Sequence, residues 1–321
     1  IFFYFKYNRK IIYMKTGIFL SYKGLGANLL HLSYCHQISK KFGPTTLITL
    51  NPKLKEVLDK DPNFIDIIYL NKFYKKISDV INLSNFFKKL NLDKIYIFYP
   101  SLRFFCAAKL AGIKNVYNYP FFKKKNLHLV EAAKRFTEKN LGIIECPTES
   151  RINVDIDKVN DLKKNDLKKI IIGIGSSGPT TKWGKKNYLS LIKKIKENKN
   201  FYFYLLCGPD ESKDAEEIIE DVGKECCESL SNKSISDIKN YIYVSDIYIG
   251  NDSFGHHISS QMGKPSFVIL LDTPRAYTDY SVNQIKIIPQ NIDLNKISHD
   301  SKLNPNSISV EMVMNEIKKF I

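Results

Sequence analysis

The six cysteines, Cys35, Cys106, Cys146, Cys207, Cys226 and Cys227, form no C-x-x-C pair and no recognisable metal-ligand spacing. Two of them are adjacent, an arrangement that seldom supports a structural disulfide, so the chain reads as one made for a reducing cytoplasm. There is no tandem repeat of solenoid type and no apolar run long enough to span a bilayer. The opening IFFYFKYNRKIIY is apolar and aromatic but too short for that. It also lacks the charge-then-apolar order of a secretory signal. Acidic residues are in deficit, 33 against 49 lysines and arginines, which gives a formal charge of +16. Alanine, glycine and arginine are sparse while lysine, isoleucine, asparagine, tyrosine and phenylalanine abound, as an AT-rich coding sequence produces. The excess of lysine therefore reads as solvated surface. No compact basic-aromatic motif accompanies it, so nucleic acid is not an expected partner. The charge would concentrate anionic nucleotides and favour the anionic inner face of a membrane, which places the protein in the cytoplasm or peripheral to that face.

At 321 residues and 44% hydrophobic composition, the chain is long for one core and comfortable for two. Apolar runs alternate with segments of helical spacing, the pattern of a parallel sheet covered on both faces. Residues 1–13 read as a non-native or disordered extension before Met14, where MKTGIFL begins a strand-like run. An N-terminal α/β domain is expected over 14–145, with a strand at 16–21, a helix from Asn28 to Phe42 and a last helix over 126–141. The polar stretch 146–168 reads as a linker. A C-terminal α/β domain is expected over 169–303, closed by a helix in 304–321. Two doubly wound units joined in this way face each other across a ligand cleft.

Four segments carry chemistry-bearing residues, each where a strand ends, the edge at which parallel sheets bind ligands. In SYKGLGANLLH, Gly24 and Gly26 permit a tight turn before a helix, with Asn28 beyond it. The third glycine of G-x-G-x-x-G is missing, and no acid marks the end of the second strand, which argues against a nicotinamide cofactor. In GIGSSGPTTKWG, Ser176, Ser177, Thr180 and Thr181 supply hydroxyls and Lys182 a cation, a set suited to phosphate oxygens. CGPDE follows the next strand and brings Asp210 or Glu211 toward sugar or ribose hydroxyls. The richest segment is IYIGNDSFGHHISSQMGKPSFVIL, residues 247–270, which reads as strand, loop, helix, strand. Ser253 and the amides near 254–256 are placed for a diphosphate at a helix start, and His257 for donation to it. His256 and His257 point about 100° apart on a helix, so only one of them is expected to face the cleft.

The last three segments, in this order and spacing, resemble the family 9 glycosyltransferases, whose best-known members are the lipopolysaccharide heptosyltransferases. The family's G-N-D-S-G-x-x-H, helix, G-x-P block is matched by Gly250, Asn251, Asp252, Ser253, His257, Gly263 and Pro265. TTKWG is similar to its T-K-x-W-P loop, LLCGPDE to its G-x-P-x-E strand end, and GLGANLLHLSYCHQISKKFG to its first loop and helix. The resemblance implies a GT-B fold with two Rossmann-like domains. It implies a glycan or glycolipid acceptor on the N-terminal side and a nucleotide-sugar on the C-terminal side. Transfer would be inverting and without metal or other cofactor. The donor would be held by Ser176, Thr180, Thr181, Lys182, Glu211, Asp252, Ser253, Phe254, Gly255 and His257, and the acceptor would face the loop of Gly24, Gly26 and Asn28.

Three departures accompany the match. The family's general-base aspartate corresponds to Ala27, and the neighbouring Asn28 has no useful basicity. His31, one helical turn on, is the substitute nearest in sequence, and a carboxylate elsewhere in the domain is equally open. Phe254 stands where the family has glycine, with Gly255 one place later. Thr181 aligns with the family's lysine, and Lys182 follows it. The departures leave open a degenerate relative that binds a nucleotide-sugar without transfer. They also leave open a GT-B epimerase or hydrolase, which requires carboxylates near the anomeric carbon.

Overall fold

The computed structural model describes residues 14–71, 76, 78–120, 129–163, 166–176, 178–197, 200–278 and 280–321. The expected extension 1–13, the start of the helix expected over 126–141, and Ser177 lie outside the described residues. The first unit runs β1 (Thr16–Leu20), α1 (Leu25–Leu29), α2 (Leu32–Phe42), β2 (Thr45–Thr49), α3 (Leu54–Val57) and β3 (Phe64–Tyr69). It continues with α4 (Asp79–Leu90), β4 (Lys94–Ile97), α5 (Leu102–Leu110), β5 (Asn115–Asn118) and α6 (Leu129–Leu141). Its five strands are parallel in the order β3-β2-β1-β4-β5.

The second unit follows α7 (Ile156–Leu162) with β6 (Lys168–Gly173), α8 (Lys185–Lys196), β7 (Phe201–Leu206), α9 (Ser212–Val222) and β8 (Cys227–Ser229). Next come α10 (Ile235–Val244), β9 (Ile247–Asn251), α11 (Phe254–Gln261), β10 (Ser266–Ile269), β11 (Gln284–Ile287) and α12 (Val310–Ile317). Six parallel strands form a sheet in the order β11-β10-β9-β6-β7-β8. In each sheet the first strand in sequence (β1, β6) lies inside, and the chain winds outward to both edges. This is the doubly wound arrangement, and its ligand crevice lies off the carboxyl ends of the central strands. The strands are continuous apolar runs such as Ile170, Ile171 and Ile172, each at most 1% exposed, because helices cover both faces. Among the described residues no helix is long and apolar enough to cross a membrane.

The structure differs from the sequence reading in three places. The helix expected from Asn28 to Phe42 is two helices, broken at Leu30 and His31. His31 folds its own Nδ1 onto the Ala27 carbonyl (2.6 Å), so its backbone N–H turns to the Asn28 carbonyl (3.1 Å) instead. Across the cleft, Gln261 donates to the Leu29 carbonyl (3.1 Å), taking a second acceptor out of the helical ladder. The polar stretch 146–168 contains α7, capped by the Asp155 carboxylate on the N–H groups of Asp157 and Lys158, with buried Val159 packed toward α10. Short β8 carried no apolar run and was not expected from the sequence.

Candidate active site

A cavity of about 580 Å³ opens between the two sheets, at the carboxyl ends of β1, β6, β7 and β9. Gly24, Gly26 and Ala27 form part of its N-terminal wall. Ser176, Glu211, Asp252, Ser253, Phe254 and His257 come from three strand-end segments on the C-terminal side, after β6, β7 and β9. Of the other residues singled out in the sequence, Asn28, His31, Thr180, Thr181, Lys182 and Gly255 do not reach its surface.

The floor is built by Asn251, the last residue of β9. It is fully buried, donates to the Ile174 carbonyl (2.8 Å), and accepts from Trp183 N–H (2.9 Å) and the Tyr188 hydroxyl (2.8 Å). One amide thus fastens the whole loop after β6 to the end of β9. Trp183, the chain's single tryptophan, is buried and donates its ring N–H to the Ile308 carbonyl, a packing role. Within that loop Ser176 reaches the Asp252 carbonyl (3.1 Å) and the Thr181 hydroxyl (2.5 Å). Lys182 does not point into open space. Its ammonium pairs with Glu211 at 2.6 Å, and the other Glu211 oxygen accepts the Gly208 N–H (3.0 Å).

Ser253 caps α11, its Oγ accepting from Gly255 N–H (3.3 Å) while its own N–H donates to His256 Nδ1 (3.3 Å). This is a capping box with histidine in the place usually held by glutamate or glutamine. Gly255 packs closely on β7, since a Cβ there would lie 2.3 Å from Leu206 Cδ2 and would have to displace that side chain. That close approach accounts for the glycine standing one place after Phe254, whose side chain then lines the cavity.

His257 lines the cavity while His256 is fully enclosed behind it, the two rings 3.9 Å apart. His257 Nδ1 meets the Tyr280 hydroxyl at 2.9 Å, and the two rings stack within 5° of parallel. Burial, and then the neighbouring His256, push the His257 imidazolium well below the ordinary range despite nearby Asp252, so the ring is neutral at pH 7. Asp252 Oδ1 lies 3.7 Å from His257 Nε2 and 3.0 Å from His256 Nδ1.

On the opposite wall, Gly26 lies directly against His257. A Cβ at residue 26 would sit 2.5 Å from both Cδ2 and Nε2 of that ring. Ala27 also faces the cavity, and among the described residues its N-terminal wall contains no carboxylate. Asn28 turns inward instead, donating to the Tyr22 and Gly24 carbonyls (3.0 and 2.7 Å) and accepting from the Thr49 hydroxyl (2.8 Å). His31 is fully buried with both nitrogens engaged, one on the Ala27 carbonyl and one on the Tyr119 hydroxyl (3.2 Å). It is therefore out of reach of anything in the cavity. Tyr22, inside the first glycine loop, is joined around the cavity by Tyr277, Tyr280 and His299, which no motif marked. They stand in polar or irregular stretches, and only the fold brings them to the site.

The profile of glycosyltransferase family 9 (heptosyltransferase) matches residues 110–305. No curated protein matches the chain. Among solved structures, the family 9 glycosyl transferase of Veillonella parvula DSM 2008 superposes with a TM-score of 0.74 at 15% identity, over 95% of this chain and 97% of that one. The E. coli ADP-heptose LPS heptosyltransferase II gives 0.70 at 14% identity, over 96% and 98%. E. coli heptosyltransferase WaaC, solved with ADP-2-deoxy-2-fluoro heptose, gives 0.69 at 13% identity, over 95% and 99%. Its sequence over 110–305 places this chain in glycosyltransferase family 9, the heptosyltransferase family, and its two-sheet fold agrees.

Proposed function

We propose that the protein transfers a sugar, heptose or a related one, from a nucleoside-diphosphate sugar to a lipopolysaccharide or other glycan acceptor, with inversion and without a required metal. The observation that carries this reading is the convergence of Ser176, Glu211, Asp252, Ser253 and His257 on one cavity at the strand ends. The diphosphate would lie at the start of α11, where first-turn amides and the positive end of the helix favour an anion. Ser253 and neutral His257 would donate to it, with the hydroxyls and Lys182 of the loop after β6 behind. A leaving nucleoside diphosphate gains charge as the glycosidic bond breaks, and donors fixed in advance stabilise that charge most. Tyr280 can serve His257 here by donating its own O–H to Nδ1, which leaves the Nε2 proton free for phosphate. Glu211 is suited to sugar or ribose hydroxyls, and Asp252 to holding the loop.

The acceptor would approach along Gly24 and Gly26, presented by a membrane-anchored glycolipid toward which the basic surface of the chain is drawn. The test is incubation of the protein with a panel of nucleoside-diphosphate sugars and an isolated lipopolysaccharide core, in the presence of a chelator. Release of nucleoside diphosphate that depends on the acceptor and is lost in Ser253→Ala supports the reading. Release with no acceptor dependence overturns the transfer.

A further inference from the structure

The site holds one potential ligand side chain more than a G-N-D-S-G-x-x-H pattern requires, because His256 occupies one of its free places. One oxygen of Asp252 and one ring nitrogen each of His256 and His257 lie within 4.8 Å of one another. Oδ1 stands 3.0 Å from His256 Nδ1 and 3.7 Å from His257 Nε2. Atoms that share one ion at bond lengths near 2.1 Å stand about 3 to 3.5 Å apart, a spacing that Asp252 Oδ1 already has from His256 Nδ1 and approaches from His257 Nε2.

Hydrogen bonding accounts for only part of the cluster. His256 Nδ1 accepts the Ser253 N–H, so a lone pair, not a proton, is what it turns toward the carboxylate. Asp252 Oδ1 is buried with no hydrogen-bond partner, and so is His256 Nε2. A proton placed on Nδ1 would serve Oδ1 only by depriving Ser253 N–H of its acceptor. Either way one buried polar group goes unpaired, and such groups are rare unless something further binds there. A cation held by both atoms gives the carboxylate oxygen and Nδ1 a bond each, and like a proton it takes the Nδ1 lone pair away from Ser253 N–H.

The surroundings fit an ion as well. Tyr280 can accept a proton from His257 Nδ1, the outer contact that fixes a ligating imidazole with its Nε2 lone pair inward. Asp252 and His257 both border the cavity, which supplies an entry path and open coordination positions. Two imidazoles and one carboxylate suit a borderline divalent transition metal, whereas magnesium and calcium take oxygen ligands.

We infer that Asp252, His256 and His257 form a binding site for one divalent transition-metal ion of the zinc or cobalt class. The site needs neither nucleotide nor sugar, but it engages the same His257 Nε2 that the donor reading turns toward phosphate, so the two occupy the ring in different tautomers. It adds an ion the proposed transfer does not require, at the loop proposed to hold the diphosphate.

The test uses the whole chain, stripped by chelator, without nucleotide. Equilibrium dialysis against Zn²⁺ and titration with Co²⁺ followed by visible absorption are expected to give one equivalent per chain. The Co²⁺ complex should lack the intense near-ultraviolet band of thiolate ligation, which would betray binding by the free cysteines. His256→Ala and Asp252→Asn should abolish binding, and Tyr280→Phe should weaken it by about 10- to 100-fold. Circular dichroism checks that each variant folds, and Tyr280→Phe decides the matter if the ligand variants do not. No stoichiometric binding, binding unchanged in His256→Ala, or a thiolate spectrum would overturn the inference. Calorimetry with ADP under chelator runs beside it, so a failed metal site and a failed donor site give separate results.

Discussion

Gly26 and His257 meet face to face across the cleft, so close that a single methyl group on Gly26 would lie 2.5 Å from the imidazole Nε2. The pair joins the loop after β1 to the first turn of α11, and therefore one domain's wall to the proposed diphosphate site of the other. Gly26→Ala must displace either the ring or the backbone. Overpacking of this kind costs about 1–3 kcal/mol. Nucleoside diphosphate affinity is expected to fall at least tenfold, read by calorimetry, with far-UV circular dichroism unchanged. Unaltered affinity would mean that His257 does not hold the nucleotide.

Ala27 stands beside that contact on a wall that contains no carboxylate among the described residues. Ala27→Asp should raise the rate of sugar transfer if proton removal from the acceptor limits the reaction, by roughly the 10²–10⁴-fold that a positioned base contributes. Initial rates at saturating donor measure it. An unchanged rate in a protein that already transfers sugar would place the base elsewhere.

Asn251 is expected to behave differently from its neighbours in the same motif. Its three hydrogen bonds are wholly enclosed, so Asn251→Ala leaves the Trp183 N–H and the Ile174 carbonyl without partners. The loss should be at least about 2 kcal/mol in urea unfolding. Ser253→Ala should cost about 1 kcal/mol, the worth of a helix cap. Equal effects of the two would contradict the division of roles between floor and site.

Stability should fall on mild acidification. Burial holds the His31 imidazolium down to about 4, against an ordinary 6.5, and the Ala27 carbonyl only partly opposes this. Between those values the unfolded chain binds a proton that the folded chain refuses, so stability is lost as pH drops from 6.5 toward 4. The loss is on the order of 3 kcal/mol by its end. His257, also held well below the ordinary range, acts in the same direction. Urea midpoints at pH 7 and pH 5 should differ less in His31→Gln than in the parent, and an equal difference would assign the acid sensitivity to other groups.

Much of this site was legible because its key residues are contiguous. The strand, cap and histidines of 247–257 are consecutive, and strand-end glycines at 24, 26, 173, 175 and 208 mark the loops that face them. What could not be read depends on partners distant in sequence. The break after α1 requires Gln261 from the other domain. Lys182 looks like a free cation until Glu211 is brought within 2.6 Å, and Asn28 looks like a loop residue until Thr49 claims its oxygen. Helical spacing indicated that one histidine of the pair would face the cleft, but not that the hidden one would cap the helix beside an unpartnered carboxylate oxygen.

The most direct measurement is a calorimetric titration of the protein with ADP and UDP under chelator, beside His257→Ala. The account predicts saturable binding of a nucleoside diphosphate by the parent and its loss in the variant, with matching melting curves. Absence of binding across both nucleotides, or equal affinity in the variant, would contradict it.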